Sequence, residues 1–266
     1  MTGSAIALAL PPVSSHRAPS MLRIYRLEAW YEFLKMLRQP AYSVPTLGFP
    51  VMFYLLFGIL LGGRGPRGLN LEEYLIASYG AFGVVGAAMF GFGVGIAGER
   101  AQGWLLLKRV SPMPPAALLT AKVIMSAVFG LLIILLMGIC GVLFGGVRLA
   151  PAEWLELSVV LTAGAVPFCL IGLAIGYLVS PSAAPGIVNL IHLPLAFLSG
   201  LALPIEAMPA AARSFAQVLP QYHLGQLALG AIGRTSDPDP VRHIVALVGF
   251  TALAGLAAAW AHRRAS

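Results

Sequence analysis

Six apolar stretches, each about as long as a lipid bilayer is thick, lie between Val44 and Ala261 of this chain of 266 residues. They cover roughly residues 44–61, 74–97, 118–144, 154–178, 187–203 and 241–261. A hydrocarbon core of about 30 Å is crossed by a helix of about 20 apolar residues. A water-soluble fold has no interior that hides six of these, and backbone groups in lipid must be satisfied within the segment. The sequence therefore predicts an all-α membrane protein with six transmembrane helices. Charged residues make up only 10% of the chain, against about 25% in a soluble domain.

The formal charge of +7 fits a membrane protein, whose basic residues gather in cytoplasmic segments and beside anionic headgroups. No arginine-rich domain is present to clasp a duplex, so no nucleic-acid partner is expected. Cys140 and Cys169 both fall in apolar stretches without metal-ligand spacing to a histidine, and read as small hydrophobes. No metal site is expected.

Residues 1–20 are rich in Pro, Ser and Ala and are expected to be disordered, leaving 21–266 as a single transmembrane domain. The apolar run Ala5 to Leu10 has no basic residue before it, so no cleaved signal peptide is expected. Over 22–38 the pattern changes. Leu22, Tyr25, Ala29, Trp30, Phe33, Leu34 and Leu37 recur at helical spacing, with Arg23, Arg26, Glu28, Glu32, Lys35 and Arg38 between them. This predicts an amphipathic helix lying in the membrane interface, with Trp30 and Phe33 toward lipid and Lys35 and Arg38 toward headgroups and water. Pro40 and Pro45 are expected to turn the chain into the first span.

An even number of spans puts both termini on one side. That side carries 11 of the 17 Lys and Arg residues, so both termini are expected in the cytoplasm. The same side holds the one conspicuous charged break, GERAQGWLLLKRVSPMPP, over 98–115. Glu99, Arg100, Gln102, Lys108 and Arg109 surround Trp104, Leu105, Leu106 and Leu107, which predicts a short amphipathic helix. The prolines from Pro112 onward stop it. A solvated connector has no use for a Trp-Leu-Leu-Leu cluster, so the helix reads as a docking element for another protein.

Between the fifth and sixth stretches runs FLSGLALPIEAMPAAARSFAQVLPQYHLGQLALGAI, too proline-broken to span and too apolar for a plain loop. Two short helices, near 207–218 and 222–232, dipping into the outer half of the bilayer satisfy this pattern. Together with Pro204 they define a re-entrant region over 204–232.

In their order and sidedness, LEAWYEFLKMLRQP, the 98–115 loop followed by AKV, and the 197–224 segment resemble the membrane subunit of type-2 ABC exporters, bacterial permeases for drugs, lipids and polysaccharides. The resemblance covers nearly the whole chain from Leu22 onward. It implies a connecting helix at 22–38, a cytoplasmic coupling helix that contacts an ATPase, and an extracytoplasmic re-entrant hairpin. Carried over, Glu99, Arg100, Gly103, Trp104, Leu107, Lys108, Arg109 and Pro112 form the coupling region. One departure is that Ala101 and Gln102 intervene before Gly103, where the family pattern brings its glycine sooner. The resemblance also implies a bacterial inner-membrane location, two copies each of permease and separate ATPase, a homodimeric permease, and ATP with Mg held by the partner.

The chain itself lacks the GxxxxGK string followed by Ser or Thr that cradles a nucleotide, so it is expected to bind no cofactor and to catalyse nothing. Polar groups inside a span are costly and point to function. Asn189 and His192, three apart in the fifth span, and Glu206 at the start of the hairpin are the candidates for the substrate path. The expected cargo is amphipathic or polymeric: a drug, a lipid or a glycan. The alternative is an ion-coupled secondary transporter, which calls for acidic or basic pairs near mid-membrane and internal repeats. Neither is found in the six stretches.

Overall fold

The computed structural model describes residues 20–60, 71–110, 114–235 and 237–265. The expected disorder of 1–20 falls, apart from Ser20, outside the described residues. Pro112 and the loop after the first span lie outside them too. Among the described residues every regular element is helical.

The centre of the molecule is the glycine-rich helix α3 (Leu71–Ala101), 31 residues in one unbroken run. Around it stand α2 (Pro40–Phe53), α5 (Pro115–Phe144), α6 (Pro151–Gly164), α7 (Val166–Leu178) and α8 (Ala184–Leu198). The last helix, α11 (Pro240–Ala265), packs on α7 and on α10 (Pro220–Ala231). The short helix α9 (Ala210–Ala216) precedes α10. Two further helices lie at one end of the bundle, α1 (Met21–Leu37) against α5 and α4 (Trp104–Val110) just beyond α3.

Small residues explain why α3 is central. A Cβ on Gly172 of α7 would stand 2.7 Å from the Met89 carbonyl oxygen, and one on Gly176 would stand 2.9 Å from that of Gly93. The two backbones are in contact there, which only glycine allows. On the opposite flank, a Cβ on Gly83 would meet the Pro50 ring at 2.7 Å. With Ala, Gly and Ser along its other faces, α3 buries nearly its whole length and supplies most of the core.

Among the described residues five helical segments are long and apolar enough to cross a membrane: Pro40–Leu60, Leu71–Ala101, Ala116–Phe144, Pro151–Leu178 and Pro240–Arg264. The expected fifth span is shorter. Helix α8 has 15 residues, about 22 Å of rise, and ends where Gly200 takes φ +86°. The first span differs as well. Pro40 starts α2 as expected of a first-turn proline, but Pro45 and Pro50 sit inside the helix rather than in a turn before it. Beyond them the helix widens into a π-helical stretch, Tyr54–Leu60. Pro167 does interrupt the fourth apolar stretch, dividing it into α6 and α7 at Ala165.

Helix α1 presents a different face from the one its apolar residues define. Ala29, Glu32 and Met36 are its buried residues, whereas Leu22, Trp30, Tyr31 and Leu37 face outward. Two acidic and basic side chains read as water-facing therefore turn into the protein.

Candidate functional site

Helix α3 ends at Ala101, and Gly103 adopts φ +73°, a left-handed conformation that glycine takes without a steric penalty. This redirects the chain into α4. Leu105 packs back on the core, while Trp104, Leu107 and Val110 stand exposed, at 47%, 65% and 84% of their full accessibility. The segment that follows α3 is thus an exposed apolar knob separated from the central helix by two residues. The side chains of Lys108 and Arg109 lie outside the described residues.

The two charged residues that open the loop point the other way. Glu99 is 5% exposed, and Arg100 reaches across to α7, where it donates to the carbonyls of Tyr177 and Val179, the latter at 2.7 Å. Both side chains are thereby engaged within the bundle, at the base of α4.

Glu99 belongs to a buried quartet that the sequence does not announce. Lys122 of α5 has no exposed surface at all. Its Nζ lies 2.9 Å from Glu99 Oε1 and also donates to Glu32 Oε1. Lys35 donates to Glu32 Oε2 at 2.7 Å and to the same Glu99 Oε1. Three helices, α1, α3 and α5, are thereby joined by two cations and two anions. Moving such ions from water costs several kcal/mol each, repaid only by close, well-bonded opposite charges. Burial of the Lys35 ammonium works to lower its pKa, but the carboxylates of Glu99 and Glu32 outweigh this and hold it above the ordinary lysine value. Glu99 Oε2 is buried and has no hydrogen-bond partner among the described residues.

In the bundle interior the substrate-path candidates separate. Asn189 is exposed on the outer surface of α8, whereas His192, three residues on, is 3% exposed and faces α3, so the two do not meet in the interior. The His192 ring stacks on Phe82 with centroids 4.7 Å apart, beside Gly86, the middle residue of α3. Its partner is Gln221 at the start of α10, with Nε2 3.3 Å from His192 Nδ1. Glu206 lies in a single 3-10 turn, Ile205–Ala207, half-buried and with Oε2 lacking a partner among the described residues. At this end of the bundle Arg234 pairs with Glu73 at 2.8 Å, and the His223 and His243 rings meet Nδ1 to Nδ1 at 2.8 Å.

Trp30 is half-exposed and stacks near Phe33, which packs on Phe129 of α5; Arg38 is exposed. Lys122, Glu32 and Gln221 were not foreseen. A lysine about two turns into an apolar helix, with Glu32 and Lys35 at i, i+3 spacing, was the available signal.

The family model for the ABC-2 type transporter matches residues 25–232, which include α4, α9 and α10. The chain belongs to the ABC-2 type transporter family. "Putative transport permease YvfS" of Bacillus subtilis (strain 168) is 28% identical over 244 residues, 91% of this chain and 98% of that protein. An ABC-2 permease is a multi-pass membrane subunit of a transporter, and membership implies pairing with an ABC ATPase.

Proposed function

We propose that this chain is the permease subunit of an ATP-driven exporter, moving an amphipathic or polymeric substrate out of the bacterial cytoplasm. The observation that carries this reading is α4. An apolar helix held outside the bundle by Gly103, with Trp104 and Leu107 facing outward, is a docking surface that begins two residues beyond the most buried helix of the protein. ATP hydrolysis, with its Mg, belongs to the separate subunit that docks there, two copies serving a permease homodimer in the inner membrane.

The basic end of the molecule, with α1, α4 and the end of α11, faces the cytoplasm under the positive-inside rule. The transmembrane path then has a sixth crossing made in two parts. Helix α8 begins at the cytoplasmic end and rises along α3, with Val188 near Gly93 and His192 near Gly86. The chain beyond it continues to Ala202, whose carbonyl accepts from the Tyr79 hydroxyl at 3.2 Å. Helices α9 and α10 form the re-entrant hairpin, returning inward far enough for Gln221 to meet His192 at mid-bundle. His192, Gln221 and Glu206 line the closed path.

Trp104→Asp tests the docking role. The variant inserts normally but loses co-purification with the ATPase, at least tenfold against wild type, when the tagged chain is isolated from membranes. Retention of the ATPase by this variant, together with unchanged stimulation of ATP hydrolysis, would sink the reading.

A further inference from the structure

The buried quartet has a geometry that a fixed brace does not need. Both lysines converge on one oxygen of Glu99, Oε1, while Oε2 is buried and empty of donors among the described residues. Both oxygens of Glu32, by contrast, are used, one by each lysine. Either ammonium can therefore pass across the Glu99 carboxylate from one oxygen to the other without leaving its anion. A carboxylate oversubscribed on one side and unused on the other allows α3 to slide past α1 and α5 at little electrostatic cost. Glu99 also stands only two residues before the end of α3 and five before Trp104, so any displacement of α4 reaches it directly. Lys122 has no exposed surface and Glu32 only 3% through which another protein would touch them.

We propose that the quartet is a sliding joint through which displacement of α4 passes to α1 and to the start of α5, with Glu99 as the positioning residue common to both. This rests on the docking role of α4. It adds that α1 moves with the ATPase although it is separate in sequence from the docking helix. The charge pattern assigns the links individually. Lys35–Glu99 joins α1 to α3, Lys122–Glu99 joins α5 to α3, and Glu32 binds both lysines together.

Two charge-balanced double variants separate these links without leaving an isolated ion. Lys35→Met with Glu99→Gln keeps only Glu32–Lys122 and disconnects α3 from both neighbours. Glu32→Gln with Lys122→Met keeps only Lys35–Glu99 and disconnects α5 alone. Hydrogen–deuterium exchange is measured on the full complex with its ATPase in lipid nanodiscs, without nucleotide and with Mg²⁺ and a non-hydrolysable ATP analogue. In wild type the nucleotide changes exchange in peptides from α1, α4 and the first two turns of α5. In the first double variant the response in α1 and α5 falls at least fivefold while that of α4 persists. In the second, α1 keeps its response and α5 loses it.

Wild-type responses in α1 and α5 surviving the first variant overturn the joint, as does a variant that only raises exchange equally in both nucleotide states, which is the mark of a passive brace. If the wild-type chain holds no ATPase, the docking reading fails and the joint fails with it. An intact complex whose variants answer nucleotide like wild type removes the joint alone.

Discussion

Glu99 and Trp104 are five residues apart in one charged loop, yet their side chains do opposite work. Trp104 is half-exposed on α4, while Glu99 is enclosed by two ammonium groups. Removing one member of a buried ionic cluster leaves its partners uncompensated, at a cost of about 3–5 kcal/mol. An exposed side chain away from such features changes stability by about 0.5 kcal/mol or less. Glu99→Ala is therefore expected to lower the thermal aggregation midpoint of the detergent-solubilised chain by many degrees. Trp104→Ala should leave that midpoint where it is. Size-exclusion chromatography after stepwise heating distinguishes the two, and equal behaviour would contradict the inward placement of Glu99.

This pair also marks what the sequence could reveal. A short helix ending in prolines was legible from the Trp-Leu-Leu-Leu cluster, because its apolar residues had no span to join. The direction of Glu99 was not, because its partners are 64 and 23 residues away in α1 and α5. Charge read along a sequence is assigned to water by default, and here Glu32, Lys35 and Lys122 satisfied one another instead.

Among the elements, apolar length located the long helices well, since the bilayer sets a minimum that few other constraints imitate. Proline was the less dependable guide. Pro45 and Pro50 remain within α2, which continues past them into the π-helical stretch although each removes one backbone donor. The short α8 was overestimated because the apolar run continues past the helix end at Leu198, through Gly200, to Leu203. Glycine was informative in number but not in address. The helix-to-helix contact that depends on it is the approach of α3 to α7 at Gly172 and Gly176. Gly172→Val drives a side chain into the Met89 carbonyl and should destabilise the bundle by about 1–3 kcal/mol, as overpacking does. Gly249→Ala on the open face of α11 meets nothing within 4 Å and should be tolerated. Thermal melting of both variants in the same detergent checks the contrast.

For the whole molecule, the two ends of the bundle differ in kind. One end carries the ionic quartet, the Arg100 bonds to α7 and the Tyr177–His262 ring contact. The other carries the Glu73–Arg234 pair and the histidine pair. If the first end is cytoplasmic, Gln102→Cys and Arg263→Cys should resist a membrane-impermeant thiol reagent in intact cells. Arg148→Cys and Asp239→Cys should react, all in a chain whose Cys140 and Cys169 are replaced by alanine. The reverse labelling pattern would invert the molecule and end the assignment of α4 to the cytoplasm.

The left-handed turn at Gly103 has a consequence for how such a subunit can be retuned. Among the described residues nothing lies within 4 Å of where its Cβ would be, so an alanine there meets none of them and strains its own backbone. One residue's torsion thus sets the aim of the whole of α4, and under the proposed docking role a change of partner geometry is accommodated at this pivot while the side chains of α4 stay as they are.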